Sequence, residues 1–228
     1  MVKTPPQNWT IPLLENGDKL NRYEFERRYN AMPNLKKAEL IEGIVYIPAA
    51  LRFRSHGQPH GRIVGWLGTY EASTPGVALG VEPTVRLDLD NEPQPDAILI
   101  IAPEAGGQAR LSNDDYIEGA PELIVEIAAS SVAIDLHAKK QAYRRNEVKE
   151  YIVWQVLDQK LTWFYLEQGE YLELAPDEGI LQSQVFPGLW LAVPDLLAGN
   201  MQRVLTVLQA GIQSPEHAAF VQRLAPFV

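Results

Sequence analysis

The sequence predicts an α+β domain, α/β-like in the order of its elements, with a mixed central β-sheet flanked by helices. Three apolar runs, 97–102, 123–128 and 151–156, have the length and continuity of strands buried on both faces. Segments with apolar residues at helical spacing stand before and between these runs. Strands and helices do not alternate strictly, so we expect the sheet to contain parallel and antiparallel pairs.

The composition is that of a folded globular protein. With 228 residues, 46% of them hydrophobic, the chain is long enough to bury a core and too apolar to be wholly disordered. The absence of cysteine excludes disulfides, thiolate nucleophiles and cysteine-ligated metal clusters. The first residues lack the apolar run of a secretory signal, and no stretch approaches the ~20 apolar residues of a membrane span. We therefore expect a cytoplasmic protein.

The chain is predicted to have three parts. Residues 1–18 contain three prolines and no periodicity, which favours an irregular amino-terminal arm. Residues 19–198 hold all the predicted strands and form the main domain. Residues 199–228 are predicted to be a carboxyl-terminal helical extension.

The amino-terminal half of the domain begins with a short amphipathic helix at 20–32. Residues 38–47 mix β-branched residues with a central Gly43, which predicts two strands joined by a turn or one strand with a bulge. A second helix is expected at 60–70, where apolar residues share one face. Residues 77–89 alternate as one strand.

The carboxyl-terminal half carries the remaining elements. Gln168-Gly169 stands between two alternating runs, which is a hairpin signal. The other elements follow from apolar spacing and from Gly- and Asp-rich composition. We predict a loop at 103–119, a helix at 134–146, hairpin strands at 161–166 and 171–174, a closing strand at 190–197, and helices at 201–213 and 217–224.

Two carboxylates stand where a buried sheet predicts apolar residues. Asp96 precedes the run 97–102, and Glu126 lies inside the run 123–128. A charge in a buried strand is costly unless it is paired or bound to a metal. If the two strands are neighbours, both carboxylates can share one cation, and Lys139 on the next helix can reach them. Metal-assisted phosphodiester hydrolysis uses such a set.

These segments resemble a known protein family. The runs QPDAILI, GAPELIVEIAASS and DLHAKKQAYRRNEVKEYIVW resemble a family of restriction endonucleases that is abundant in cyanobacteria, the Uma-type family of the PD-(D/E)XK nuclease superfamily. The resemblance spans residues 35–197. It implies a restriction-endonuclease-like fold, a divalent metal such as Mg²⁺ or Mn²⁺, DNA as the partner and a homodimer.

The resemblance also implies which residues form the site. Asp96 matches the aspartate of the PD element, and Glu126 matches the acidic residue of the (D/E)XK element. Glu39 matches a glutamate that often joins the site, with Glu42 as its competitor. The implied metal ligands are Asp96, Glu126 and the carbonyl of Ile127.

The lysine of the family pattern stands elsewhere in this chain. Ala128 occupies the position two residues after the motif glutamate, so Lys139 on the following helix is expected to take the lysine's role, with Lys140 as the alternative. Asp135, one helical turn before Lys139, could hold its ammonium in place. The lysine would orient the attacking water or stabilise negative charge on the phosphate.

Two histidines four residues apart raise the question of zinc. His56 and His60 would suit a metal site on a helix, but Gly57 and Pro59 intervene, so we expect no zinc. His60 is expected to cap the helix that it opens. The alternative is that it reaches the metal site or a phosphate.

The charge distribution limits how nucleic acid can bind. A net charge of −9 argues against a wide basic surface. Residues 139–149 hold five basic residues and one acidic residue, and residues 51–70 hold three arginines and no acid. We expect DNA binding to use a local basic groove and to be weak and salt-sensitive.

The sequence therefore predicts a metal-dependent endonuclease that hydrolyses DNA phosphodiester bonds. An alternative is a catalytically silent module of the same fold that binds DNA or a protein partner without a divalent ion. A third possibility is a hydrolase of another phosphate ester or of a sugar, since paired carboxylates also serve glycosidases. The lysine in the set argues against this third function.

Overall fold

The computed structural model describes residues 11–48 and 50–225, and thirteen short strands lie within them. The strands account for the buried apolar runs and for several shorter pairings between them. In chain order they are β1 Glu39–Ile41, β2 Ile44–Tyr46, β3 Val77–Val81, β4 Val85–Arg86, β5 Ala97–Ile101, β6 Arg110–Leu111, β7 Ile117–Glu118, β8 Leu123–Ala128, β9 Glu150–Gln155, β10 Lys160–Glu167, β11 Glu170–Glu173, β12 Ile180–Gln182 and β13 Trp190–Ala192.

Six α-helices accompany the strands in the described ranges. They are α1 Arg22–Asn30, α2 Gln58–Glu71, α3 Lys140–Arg145, α4 Val193–Ala198, α5 Met201–Ile212 and α6 Pro215–Leu224. Two π-helical turns, Phe53–Gly57 and Ile134–Lys139, lead directly into α2 and α3, and Pro103–Ala105 forms a 3₁₀ turn. Within residues 11–48 and 50–225, no helix is both long and apolar enough to cross a membrane.

The central sheet has six strands in the order β11-β10-β9-β8-β5-β3. β8 and β9 are parallel, and all other neighbouring pairs are antiparallel. The parallel pair is connected by the helical segment 134–145, as a βαβ crossover requires. The prediction of a mixed central sheet flanked by helices is confirmed.

The two faces of β8 explain where its glutamate points. Leu123, Val125 and Ile127 join the core that α2, α5 and α6 cover. Ile124 and Ala128 face the opposite side, where Tyr143 of α3 completes a second core. Since side chains alternate along a strand, Glu126 belongs to the side of the sheet that the segment 134–145 covers.

The β1–β2 hairpin and α1 form a smaller layer beside the sheet. Glu42 and Gly43 have φ of 52° and 72°, so the hairpin turn uses two left-handed residues, as tight hairpins prefer. Two strands joined at Gly43 are thus confirmed. Reciprocal main-chain hydrogen bonds between Leu40 and Glu92 attach β1 to the segment before β5.

The strand predicted at 77–89 is wrong in its length. β3 ends at Val81 because Glu82 adopts a left-handed φ of 50° and Pro83 has no N–H to donate. The chain then enters β4, which pairs with β7 in a separate sheet of order β4-β7-β6. Residues 103–119, predicted as a loop, supply β6 and β7 of that sheet.

Predictions at the two ends of the chain have different outcomes. The irregular arm at 1–18 lies partly outside the described residues, and Leu14 within it is buried. The strand predicted at 190–197 ends at Ala192, because Pro194 begins the first turn of α4. α5 and α6, in the predicted extension, pack against the core that α2 covers.

Candidate active site

Two neighbouring strands carry acidic residues at the same end. β5 and β8 are antiparallel with Ala97 opposite Val125, so Asp96 and Glu126 come next in the register. Both residues are 4% exposed. The expectation that these two strands are neighbours is confirmed.

Glu39 reaches the same region from β1. The pairing of Leu40 with Glu92 brings β1 beside the segment that leads into β5. The Glu39 carboxylate accepts a hydrogen bond from the Gln94 N–H at 2.8 Å and is buried. The hairpin therefore adds a third carboxylate to the end of the sheet.

Lys139 lies between two of these carboxylates. Its Nζ donates to Glu39 Oε1 at 2.9 Å and to Glu126 Oε1 at 3.0 Å. Asp135 Oδ1 is 3.8 Å away, so the expected contact within the helical segment is present. Glu39, Glu126 and Lys139, which are far apart in the sequence, form one buried ionic cluster.

The alternatives to two of these residues lie elsewhere. Glu42 sits in the hairpin turn and pairs with Arg145 at 2.7 Å, on a largely exposed surface. Lys140 has its Nζ 3.7 Å from the centroid of the Phe164 ring. The geometry therefore favours Glu39 over Glu42 and Lys139 over Lys140 as members of the site.

Tyr143 is a member of the cluster that the sequence analysis did not single out. Its hydroxyl donates to Glu126 Oε1 at 2.7 Å, and the side chain is completely buried. Asp135, Lys139 and Tyr143 follow one another at intervals of four, so one side of the helical segment presents all three. That spacing is the signal by which the sequence could have identified the tyrosine.

Asp96 is held by main-chain and histidine groups. The Ile127 N–H donates to Asp96 Oδ2 at 2.6 Å, and His56 Nε2 lies 3.3 Å from Oδ1 without hydrogen-bond geometry. His56 Nδ1 is 3.2 Å from the Ile127 carbonyl, and His60 Nε2 is 2.8 Å from the Asp96 carbonyl. Both histidines therefore face the predicted metal ligands.

Two expectations about these histidines are wrong. Gly57 and Pro59 do not separate the rings, because a π-helical turn ends at Gly57 and Pro59 occupies the first turn of α2, where its missing N–H is tolerated. The ring centroids are 5.6 Å apart. His60 does not cap the helix, because it lies inside α2 and contacts the main chain of Asp96.

Burial and opposing charge set the protonation of the ionic cluster. Burial raises the pKa of Glu126, and the Lys139 ammonium opposes that rise. Burial alone would lower the pKa of Lys139, but Glu126, Glu39 and Asp135 together hold it well above its ordinary value. Lys139 is therefore a permanent cation inside the protein.

Asp96 has the opposite balance. Burial would raise its pKa, but the contact and charge of His56 and the Ile127 N–H keep that pKa below the ordinary value. Asp96 in turn raises the pKa of His56. Asp96 is therefore anionic at neutral pH.

The three carboxylates leave oxygen atoms free for a ligand. Among the described residues, Glu39 Oε2, Glu126 Oε2 and Asp96 Oδ1 accept no hydrogen bond. The Ile127 carbonyl has one histidine contact and a second lone pair. Carboxylate and carbonyl oxygens are the ligands that Mg²⁺ and Mn²⁺ take, so the donor set fits a divalent cation.

The basic run at 139–149 does not form the open groove that the sequence predicted. Four of its five basic side chains are engaged inside the protein or with surface acids, because the helical segment packs against both the sheet and the hairpin. Lys139 is buried, Lys140 lies over Phe164, Arg144 pairs with Glu170 and Arg145 pairs with Glu42.

The arginines of residues 51–54 are placed differently. Arg52 and Arg54 are exposed and have no acidic partner within 4.0 Å among the described residues. They flank Phe53, which is 72% exposed and is the first residue of the turn that contains His56. A basic, partly apolar segment thus stands beside Asp96.

Comparisons with known proteins bear on the family and the fold of this chain. No curated protein matches the chain. A solved structure described as a putative nuclease belonging to DUF820, from Anabaena variabilis, matches with a TM-score of 0.57 at 14% identity, covering 75% of this chain and 96% of that chain. The model of the Uma2 family, described as a putative restriction endonuclease, matches residues 22–194. Because that match covers most of the length of this chain, the nuclease-like protein belongs to the Uma2 family.

Proposed function

We propose that this protein is a metal-dependent endonuclease that hydrolyses phosphodiester bonds of DNA. The observation that carries the proposal is the grouping of Asp96, Glu126 and Glu39 with Lys139 at one end of the sheet. Each carboxylate keeps one oxygen without a hydrogen bond from the described residues. The family and the nuclease fold of the solved neighbour support nucleic acid as the substrate class.

Asp96, Glu126 and the Ile127 carbonyl would hold the divalent ion, Mg²⁺ or Mn²⁺, with Glu39 beside them. The ion, when bound, would lower the pKa of a water molecule and withdraw charge from the phosphate. The Ile127 N–H fixes the Asp96 carboxylate, and the Tyr143 hydroxyl fixes that of Glu126. The protein therefore presents its ligands in a set orientation.

Lys139 would stabilise charge that develops on the phosphate. Its ammonium is buried and positively charged, and the low polarity around it strengthens its interaction with an anion. In the absence of substrate it pairs with Glu39 and Glu126. The same ammonium can donate to a phosphate oxygen placed between those carboxylates.

The segment 51–54 would contact the nucleic acid outside the cluster. Arg52 and Arg54 can bind phosphates, and exposed Phe53 can pack on a base. The segment continues into the turn that carries His56, so a bound strand would pass close to Asp96. The narrow extent of this basic surface agrees with a net charge of −9.

A cleavage assay tests the proposal. Purified wild type, Lys139→Met and the adjacent Lys140→Met are each incubated with plasmid and with single-stranded DNA in Mg²⁺ or Mn²⁺. We expect cleavage by the wild type, none in a chelator, and a loss of more than about 100-fold in Lys139→Met only. Circular dichroism checks that both variants fold. Equal cleavage by the two variants would contradict the role of Lys139.

One observation favours the silent module as the second candidate. The Lys139 ammonium already pairs with both Glu39 and Glu126, so each of these carboxylates has a cationic partner without a metal. DNA binding that is unchanged by chelator, together with no cleavage, would support that function. The homodimer implied by the resemblance is a further expectation, and sedimentation would test it.

A further inference from the structure

A second group of ligand-type side chains lies on the histidine side of Asp96. His56, His60, Glu82 and Asp96 each offer one donor atom, and these four atoms all lie within 4.8 Å of one another. Glu126 does not belong to this group. The group therefore differs from the carboxylate and lysine cluster, although the two share Asp96.

The fold brings the four residues together from three elements. The turn before α2 supplies His56, and α2 itself supplies His60. Glu82 follows β3, and the register of β3 with β5 sets Val81 opposite Ala97. The Glu82 N–H donates to the Asp96 carbonyl at 3.1 Å. The left-handed φ of 50° at Glu82 ends the strand there and turns the chain beside Asp96.

One buried nitrogen in this group has no partner. His56 is 8% exposed, and its Nε2 makes no hydrogen bond with any residue that the structure describes, although it lies 3.3 Å from Asp96 Oδ1. An unsatisfied buried polar atom is costly, and native proteins rarely keep one without a ligand. The Nε2 atom therefore marks a position where a ligand would bind.

The other ring nitrogens are arranged as in metal-binding histidines. His56 Nδ1 lies 3.2 Å from the Ile127 carbonyl, and His60 Nε2 lies 2.8 Å from the Asp96 carbonyl. A metal-ligating histidine usually donates its second N–H to a carbonyl or carboxylate, which fixes the tautomer and the ring orientation. Each of the two rings then has one nitrogen left for a metal.

The group also lacks the cation that the neighbouring cluster has. Within the described ranges, neither Asp96 nor Glu82 has a lysine or arginine nitrogen within 4.0 Å. Glu126 and Glu39, in contrast, share the Lys139 ammonium. Among the described residues, the two carboxylates thus face two imidazoles and no lysine or arginine.

We propose that His56, His60, Glu82 and Asp96 bind a divalent transition-metal ion, at a site separate from the one at Glu126. Two imidazole nitrogens and two carboxylate oxygens suit ions from Mn²⁺ to Zn²⁺, whereas Mg²⁺ prefers oxygen ligands alone. The site shares Asp96 with the proposed function, but metal binding here does not require cleavage of DNA.

Calorimetric titration of untagged protein with Zn²⁺ tests the site, and absorption spectra of the Co²⁺ form report nitrogen ligation. We expect His56→Ala and His60→Ala each to weaken Zn²⁺ binding by more than about 10-fold. Glu82→Gln changes an exposed side chain and so cannot unfold the core. It should weaken Zn²⁺ binding several-fold. His137→Ala, which removes an exposed histidine outside the group, should leave the affinity unchanged.

Zn²⁺ affinities within twofold of wild type in Glu82→Gln and both histidine variants would overturn the proposal. Equal loss in His137→Ala would overturn it too, since binding would then be nonspecific. Melting temperatures of all variants exclude unfolding as the cause of a loss. The titration contains no nucleic acid, so its result does not depend on cleavage. A protein that binds Zn²⁺ as expected but cleaves no DNA in a separate assay would contradict only the proposed endonuclease function.

Discussion

At the scale of single residues, the arrangement around Glu126 depends on a balance of buried charges. One ammonium, that of Lys139, faces three carboxylates, and Tyr143 donates one further hydrogen bond. Removing one partner of a buried ion pair destabilises the fold by more than the intact pair stabilises it, because the remaining charge stays buried without compensation. Conservative substitutions are therefore the informative ones.

Tyr143→Phe removes the hydroxyl that orients Glu126 and keeps the ring. We expect the metal concentration for half-maximal cleavage to rise by about 10-fold, with the KM for DNA unchanged. The free energy of unfolding should fall by about 1 kcal/mol, the contribution of one hydrogen bond. A loss of stability with no change in metal dependence would show that the tyrosine only stabilises the fold.

Glu150 gives a pH-dependent prediction far from the proposed chemistry. Burial raises its pKa to about 7 although Ser183 and the Gln184 N–H donate to the carboxylate. A carboxyl group whose pKa is higher in the folded than in the unfolded state contributes its full stabilisation at a pH below the unfolded-state pKa. That contribution is lost as the pH rises towards 7. Between pH 5 and 7.5 the wild type should lose about 2 kcal/mol relative to Glu150→Gln.

Urea denaturation of both proteins at the two pH values measures this difference. Parallel changes in the two proteins would mean that Glu150 titrates normally.

Sequence reasoning could predict the charged members of the site but not their neighbours. Asp96 and Glu126 stand out because a charge at a buried strand needs a reason, and Lys139 stands on the helix that follows. The resemblance added Glu39. His56 was not assigned to the site, because its position depends on a π-helical turn that residue spacing does not reveal. Tyr143 could have been found from its spacing to Lys139.

At the scale of elements, helix α5 packs on β13 through a residue without a side chain. A Cβ added to Gly211 would collide with the Gly188 carbonyl and lie 2.8 Å from Trp190 Cγ. Gly211→Ala should therefore lower the free energy of unfolding by about 1–3 kcal/mol. Gly65→Ala, in α2 with open space around the added carbon, should raise it by about 0.5–1 kcal/mol.

Thermal denaturation of the two alanine variants compares them directly. Equal melting temperatures of the two variants would contradict the close approach of α5 to β13.

Element prediction failed where the chain leaves one sheet for another. Residues 77–89 alternate throughout, so periodicity alone gives one strand. The left-handed Glu82 followed by Pro83 divides it, and tertiary pairing with β7 decides the rest. The core strands were predicted well because complete burial imposes a continuous apolar run.

At the scale of the whole molecule, a net charge of −9 means that the proposed DNA binding would use a small surface. Arg52→Ala and Arg54→Ala should each reduce the salt dependence of DNA affinity by about one unit of slope, because each removes one phosphate contact. Arg223→Ala, an exposed arginine on α6, should leave the slope unchanged. Fluorescence anisotropy across salt concentrations gives these slopes, and identical slopes would place the binding surface elsewhere.

The whole-molecule prediction of fold class was accurate because it rested on the order and burial of strands. The predicted basic groove at 139–149 was wrong, since net charge along the sequence does not show which side chains pair with acids. Arg144 and Arg145 contribute to that run but face glutamates in the folded protein.

The rate of DNA cleavage by Glu126→Gln tests the central claim most directly. The control is Glu122→Gln, another buried glutamate next to β8, whose carboxylate accepts hydrogen bonds from the N–H groups of Ile101 and Gln108. We predict that Glu126→Gln lowers the single-turnover rate by more than about 100-fold, because an amide cannot replace an anionic metal ligand. Glu122→Gln should remain within about twofold of the wild type. A Glu126→Gln protein that cleaves at the wild-type rate would contradict the account.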